Sequence, residues 1–157
     1  MHLLTDVFMH QEVDADRLIR ATAQALSVDT STIQVVPAGT QSSLAALQNP
    51  ASTVVYQREP DHQPGDFPVR FAVSTRDDGS TLMYALAKIA DFLAIAILSD
   101  IDTPVGDSIW RLFLPDGSTC LVEIDRDAFD NDALKLRHQD RVNVERVAAQ
   151  SRPPTAA

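Results

Sequence analysis

A pattern that occurs twice along the chain limits the fold more than any other feature of the sequence. Each copy reads as an apolar strand, an acidic helix start, an amphipathic helix and a second apolar strand, over residues 3–36 and 69–98. Alternating apolar residues indicate strands, and apolar residues three and four apart indicate helices. We therefore predict an α+β fold, with a mostly antiparallel sheet of about six or seven strands and two main helices on one face. The order suggests a duplicated β-α-β-β unit of the ferredoxin-like type.

The strongest local signal is a hairpin in the second half of the chain. Apolar runs at residues 109–114 and 119–124 flank a Pro-Asp-Gly-Ser turn at residues 115–118. Glycine supplies the positive φ that such a tight turn needs. Residues 94–98 are apolar on all sides, so their periodicity fits both a strand and the end of a helix. The β-branched isoleucines in this run favour the strand.

The length of the chain predicts one domain that is followed by a polar end. A chain of 157 residues with 45% hydrophobic residues can bury one core without disulfides. We assign residues 1–136 to a single α+β domain. From residue 137 to residue 157 the chain is mostly polar, and Val142, Val144 and Val147 are too sparse to need a core. We predict that this segment is a polar C-terminal tail.

The charge of the chain excludes some classes of partner. The net charge is −9 at pH 7, whereas binding to nucleic acid or to an anionic membrane requires Lys and Arg. We therefore expect no nucleic-acid partner and no membrane partner. The same field attracts a basic protein, although solubility alone also accounts for it. The first residues lack the basic flank and long apolar run of a signal peptide, so we expect a cytoplasmic location.

No catalytic, cofactor or metal motif stands out in the sequence. The acidic run that begins at Asp125 lacks the glycine and the glutamate of a calcium loop. The histidines lack zinc spacing, and neither a nucleophile elbow nor a glycine-rich phosphate loop is present. Cys120 lies in a strand pattern and reads as a small buried hydrophobe rather than a reactive thiol. We expect no catalytic residue, no metal and no cofactor.

Two neighbouring segments supply the candidate residues for binding a partner. The candidates are Asp100, Asp102, Asp107, Trp110, Arg111 and Phe113. The aspartates form an acidic loop, which we expect to share one side with the acidic residues at 125–132. In the strand that follows, alternation places Trp110 on one face and Arg111 with Phe113 on the other. Phe113 beside Arg111 is typical of a recognition surface and equally typical of a sheet face that the chain's own tail covers.

These features together predict an acidic, non-enzymatic protein-binding module of bacterial type. In outline the chain is similar to small immunity or antitoxin proteins, which cover the site of a basic toxin. It is also similar to secretion chaperones, which are acidic dimers, so a second copy of the chain is a further candidate partner. No motif carries either resemblance. The alternatives are a small-molecule-binding sensor domain, which needs a pocket with convergent polar groups, and a small enzyme with an unrecognised site.

Overall fold

The computed structural model describes residues 3–76, 79–101, 108–125 and 134–151. Its strands are β1 (Leu3–Met9), β2 (Ile33–Pro37), β3 (Val54–Arg58), β4 (Val69–Thr75), β5 (Ile97–Ser99), β6 (Ile109–Phe113) and β7 (Thr119–Glu123). Its helices within those residues are α1 (Ala15–Leu26), α2 (Gln41–Gln48), α3 (Gly79–Leu93) and α4 (His138–Ser151), and a short 3-10 turn covers Thr30–Thr32. None of these helices is long and apolar enough to cross a bilayer.

All seven strands form one sheet in the order β2-β3-β4-β1-β5-β6-β7. β2 and β3 are parallel, and every other neighbouring pair is antiparallel. The segments β1-α1-β2 and β4-α3-β5 each join strands that point the same way, with other strands between them. The two copies of the sequence pattern therefore interleave at the central β1–β4 pair. The predicted α+β class and the mostly antiparallel sheet are confirmed.

One face of the sheet, here called the inner face, is covered by α1 and α3. Alternation along β1 and β4 points Val7, Met9 and Phe71 toward these helices, which contribute Leu18 and Leu86 to the same core. Both helices carry apolar residues three and four apart, so each presents one continuous stripe to the sheet. The prediction of two main helices on one face is confirmed.

The opposite face, here called the outer face, is covered in part by α4 and by the segment before it. Phe8, Leu98 and Leu112 form a second core there, and Val144 and Val147 of α4 are buried against it. The prediction of a tail without a core is therefore wrong for residues 138–151. The two valines of α4 are sufficient to pack this helix on the sheet, because the sheet face beneath it is itself apolar. Residues 152–157 lie outside the described part, and the domain boundary at residue 136 stays a prediction.

Two backbone turns mark the end of α3 and the connection between β6 and β7. Ala94 has a φ of 54°, a left-handed conformation that ends α3, and the strand β5 then forms at 97–99, where it overlaps the strand predicted for residues 94–98. In the predicted hairpin, Gly117 has a φ of 83° and the amide of Leu114 donates to the carbonyl of Ser118 at 2.8 Å. The strands pair from Phe113 with Thr119 onward. The hairpin is confirmed, and the strand is confirmed for residues 97 and 98 of the predicted range.

Candidate functional site

The structure separates the residues that the sequence proposed for binding a partner. Phe113 is 0% exposed in the inner core, so it cannot contribute to a surface, and the prediction that it contacts a partner is wrong. Phe113 faces the inner core beneath the helices, whereas its neighbours Leu112 and Leu114 face the outer core. Arg111 is half-buried, and its Nε is buried with no hydrogen-bond partner within the described residues. Asp102 and Asp107 lie outside the described residues, as does most of the acidic run 125–132.

Two of the proposed residues, Asp100 and Trp110, lie near each other on the sheet. Asp100 follows β5 directly, is exposed, and accepts a hydrogen bond from Thr5 Oγ1 at 3.3 Å. Ser99 pairs with Arg111 and with Val7. Extending these registers by one residue puts Asp100 level with Trp110 on β6 and with Asp6 on β1. Asp6 and Trp110 therefore lie along one row of the outer face, whereas the hydrogen bond of Asp100 is with Thr5, which shares the inner side of β1 with Val7.

An open cavity of about 410 Å³ lies on the outer face beside this row. Its lining combines aromatic, charged and apolar side chains from β1, β4 and β6 with residues of two loops. The lining residues are Asp6, Phe8, Gln63, Pro64, Arg70, Trp110 and Leu134. We take this cavity as the candidate functional site.

The wall of the cavity is a chain of contacts between charged and aromatic groups. Arg70 stands opposite Phe8 in the β1–β4 register, and its guanidinium carbon lies 5.7 Å from the centre of that ring. Its Nη2 donates to Asp6 Oδ2 at 3.0 Å. The rings of Phe8 and Trp110 are 5.5 Å apart at a tilt of 46°. These distances are those of cation–π and tilted aromatic pairs.

The ion pair in the cavity is only loosely held. Arg70 and Asp6 keep 41% and 38% of their side chains exposed, so water screens their attraction. The contact uses one nitrogen rather than the bidentate fork that makes arginine–carboxylate pairs strong. Arg70 Nε is buried and has no hydrogen-bond partner within the described part of the chain, which is unfavourable for a charged donor. A ligand that offers a hydrogen-bond acceptor to Arg70 Nε, or that takes the place of Arg70, removes this unfavourable burial.

A second charged group lies at the end of the sheet beside the cavity. Glu12 accepts hydrogen bonds from Arg58 and contacts His62, which ties the loop after β1 to the loop after β3. The hydrogen bond from Arg58, and then that with His62, lowers the pKa of Glu12 to about 2. The carboxylate of Glu12 is therefore ionised and already satisfied at neutral pH.

Four carboxylates that have no ion pair within the described residues lie close in sequence to these contacts. Asp14 and Asp16 follow Glu12 in one loop and helix start, and Glu59 and Asp61 lie between Arg58 and His62 in the other. We call Asp14, Asp16, Glu59 and Asp61 the acidic rim. Glu59 and Asp61 also line a smaller cavity of about 230 Å³ that shares Arg70 and Gln63 with the larger one. Glu59 and Asp61 of the rim therefore adjoin the candidate site.

The other perturbed groups have structural causes. Burial raises the pKa of Tyr56 to about 12, and its hydroxyl pairs with Thr22 Oγ1 at 2.8 Å in the inner core. Burial also raises the pKa of the Cys120 thiol, so at neutral pH it is protonated and a weak nucleophile. Within the described residues no three His, Cys, Asp or Glu side chains gather as metal ligands.

Sequence reasoning missed Asp6, Phe8 and Arg70. Asp6 and Phe8 alternate with buried residues on β1 and Arg70 does so on β4, which marks them as facing the outer side. The missing information was the strand order, because it is the β1–β4 pairing that puts Arg70 opposite Phe8. No family model, no curated protein and no solved structure matches this chain.

Proposed function

We propose that this protein is a non-enzymatic binding module that holds a basic protein against the outer face of its sheet. The observation that carries the proposal is the open cavity walled by Phe8, Trp110 and Arg70, next to the acidic rim. Tryptophan is among the residues most enriched at positions that dominate interface energies. Surrounding carboxylates steer a basic partner and raise its association rate.

Two kinds of small acidic bacterial protein act in this way. An immunity or antitoxin protein covers the site of a basic toxin, and a secretion chaperone covers a segment of the protein it escorts. Either role uses a surface rather than a reaction, and either fits a chain with a net charge of −9. A cytoplasmic location agrees with the single cysteine, since the reducing cytoplasm keeps thiols free.

The test is to co-express the chain with the products of its neighbouring genes and to isolate any complex. Association of that complex should slow as salt rises, because added ions screen the steering charges over about 8 Å at physiological ionic strength. Trp110→Leu should weaken the complex by at least about tenfold. Tyr84→Leu is the matched control, because Tyr84 is 69% exposed on α3, which covers the inner face.

The acidic rim is tested separately from the cavity. Glu59→Gln with Asp61→Asn should lower the association rate of the same complex. Asp29→Asn with Asp91→Asn removes two negative charges elsewhere and should change that rate less. If the two double variants behave alike, or if no neighbour binds, the rim serves solubility and the proposal of a basic partner is lost.

A second copy of the chain is the partner that the sheet edge favours. β7 ends the sheet, and Leu121 in its middle is 55% exposed. The other edge strand, β2, finishes at Pro37, which cannot donate a backbone hydrogen bond. Pairing of β7 with a second β7 would cover Leu121. Light scattering should show a dimer that Leu121→Lys converts to a monomer, whereas a monomeric unaltered chain would exclude this pairing.

A small-molecule sensor is the alternative that the cavity volume favours. About 410 Å³ falls within the range of small-ligand pockets. The cavity is open to solvent, however, whereas ligand pockets bury most of their ligand. Native mass spectrometry of the purified protein separates the two functions, since a retained small molecule would favour the sensor.

A further inference from the structure

We propose that the outer-face cavity is a subsite for a basic side chain, and that Arg70 occupies this subsite in the free protein. The incoming group is a guanidinium or ammonium that takes the place of the Arg70 guanidinium against Asp6 and Phe8. The inference rests on the proposed function only in naming a protein partner as the source of that cation.

The chemistry of the cavity wall suits a cation. A cation in this space meets the carboxylate of Asp6 and two aromatic residues, Phe8 and Trp110. Aromatic faces and a carboxylate are the groups that attract guanidinium and ammonium ions. Arg70 already shows that a guanidinium fits here, because it makes both contacts at 5.7 Å and 3.0 Å.

Arg70 can be displaced from this subsite. Its contact with Asp6 is single and partly exposed, and its Nε is buried with no hydrogen-bond partner within the described residues. Little interaction energy is lost when an arginine held in this way is displaced. A partner's side chain that approaches from the solvent side is free to make the bidentate contact that Arg70 does not make.

The Arg70 side chain has an alternative position beside other carboxylates. The smaller cavity of about 230 Å³ is lined by Arg70 together with Glu59 and Asp61. Neither carboxylate makes an ion pair or hydrogen bond within the described part of the chain. Rotation of the Arg70 side chain toward them exchanges one carboxylate for another, so its charge stays compensated while Asp6 becomes available.

The experiment uses Trp110, the single tryptophan of the chain, as the reporter. The full-length protein is titrated with N-acetyl-arginine amide and N-acetyl-lysine amide, and with N-acetyl-glutamine amide as the neutral control. Tryptophan fluorescence should change saturably with the two cationic probes and not with the neutral one. A response to all three probes alike, or to none, would overturn the cation subsite.

Three variants test the roles of the individual residues. Arg70→Gln should tighten binding of the arginine probe by about two- to fivefold, because the competing internal cation is removed. Asp6→Asn should weaken it by about tenfold. Arg17→Gln removes a positive charge from the exposed surface of α1 and should leave probe affinity close to that of the unaltered chain. Circular dichroism of each variant confirms that it is folded.

The outcomes separate this inference from the proposed function. If Arg70→Gln binds the probe no better than the unaltered chain, Arg70 does not occupy the subsite and the inference is wrong, even where a salt-sensitive protein complex is found. If the probes bind with the expected order of variants and no neighbouring gene product binds, the cation subsite stands and the protein-partner proposal fails.

Discussion

The inner and outer faces of the sheet are built in different ways. The inner face is closed by α1 and α3, each of which directly follows a strand that it covers. The outer face is covered only in part by α4, which follows all seven strands along the chain and contributes Val144 and Val147 to the outer core. The inner face is a complete core, whereas the outer face retains an open cavity lined by Phe8 and Trp110. The partly covered face is therefore where a binding site can form.

The largest expected effect concerns the inner face. Leu86 is 0% exposed between α3 and the sheet, so Leu86→Ala should lower the free energy of unfolding by about 2–5 kcal/mol. Urea unfolding followed by circular dichroism measures this. A loss below about 1 kcal/mol would show that the α3 stripe is not tightly packed, and the contrast between the faces would not hold.

A smaller effect is expected on the outer face. Val144→Ala with Val147→Ala should cost about 1–3 kcal/mol, because each side chain loses two methyl groups from a thinner layer. Hydrogen exchange should show α4 opening before α3, since weakly packed segments open at lower free energy. Val142→Ala, at a valine that is 47% exposed on the same helix, is the control. Equal protection of α3 and α4 would contradict the difference between the two layers.

The loops at the end of the sheet should show a modest dependence on pH. The Arg58 and His62 contacts lower the pKa of Glu12 from 4.5 to about 2, so the folded state favours the ionised carboxylate. This stabilisation is present above the unfolded pKa and is lost as pH falls from about 4.5 toward 2. The side chain is 49% exposed, so we expect a contribution below about 1 kcal/mol.

Glu12→Gln is the variant that measures this contribution. Its melting temperature should fall less steeply than that of the unaltered chain between pH 4.5 and 2. Glu59→Gln, at a residue without an ion pair in the described part, is the matched control. Parallel melting curves for all three proteins would show that the Glu12 cluster contributes nothing to stability.

The smallest expected effect is that of metal ions. Thermal unfolding should be the same with a chelator and with added calcium, because no described cluster has the ligands of a metal site. A stabilisation of several degrees by calcium would indicate a cation site in the acidic run 125–132 or around Asp100. It would also mean that the metal, rather than packing, completes part of the outer layer.

The sequence predicted the pieces of the fold well because those pieces depend on neighbouring residues. The hairpin at Gly117 and the strand after Ala94 were both correctly predicted, since turn chemistry and β-branching act over a few residues. The tail was wrongly predicted at residues 138–151. Val144 and Val147 give only a weak stripe in the sequence, and their burial depends on the apolar outer face that other strands supply.

The candidate site was predicted only in part, for the same physical reason. Trp110, which lines the cavity, was identified from the alternation along its strand, whereas Phe113 was assigned to a surface although it faces the inner core. By itself the sequence determined the elements, the alternation of their faces and the excess of negative charge. Only the tertiary structure decided that Arg70 stands opposite Phe8 and beside Asp6, because strand order and register arise from pairing between residues that are distant along the chain.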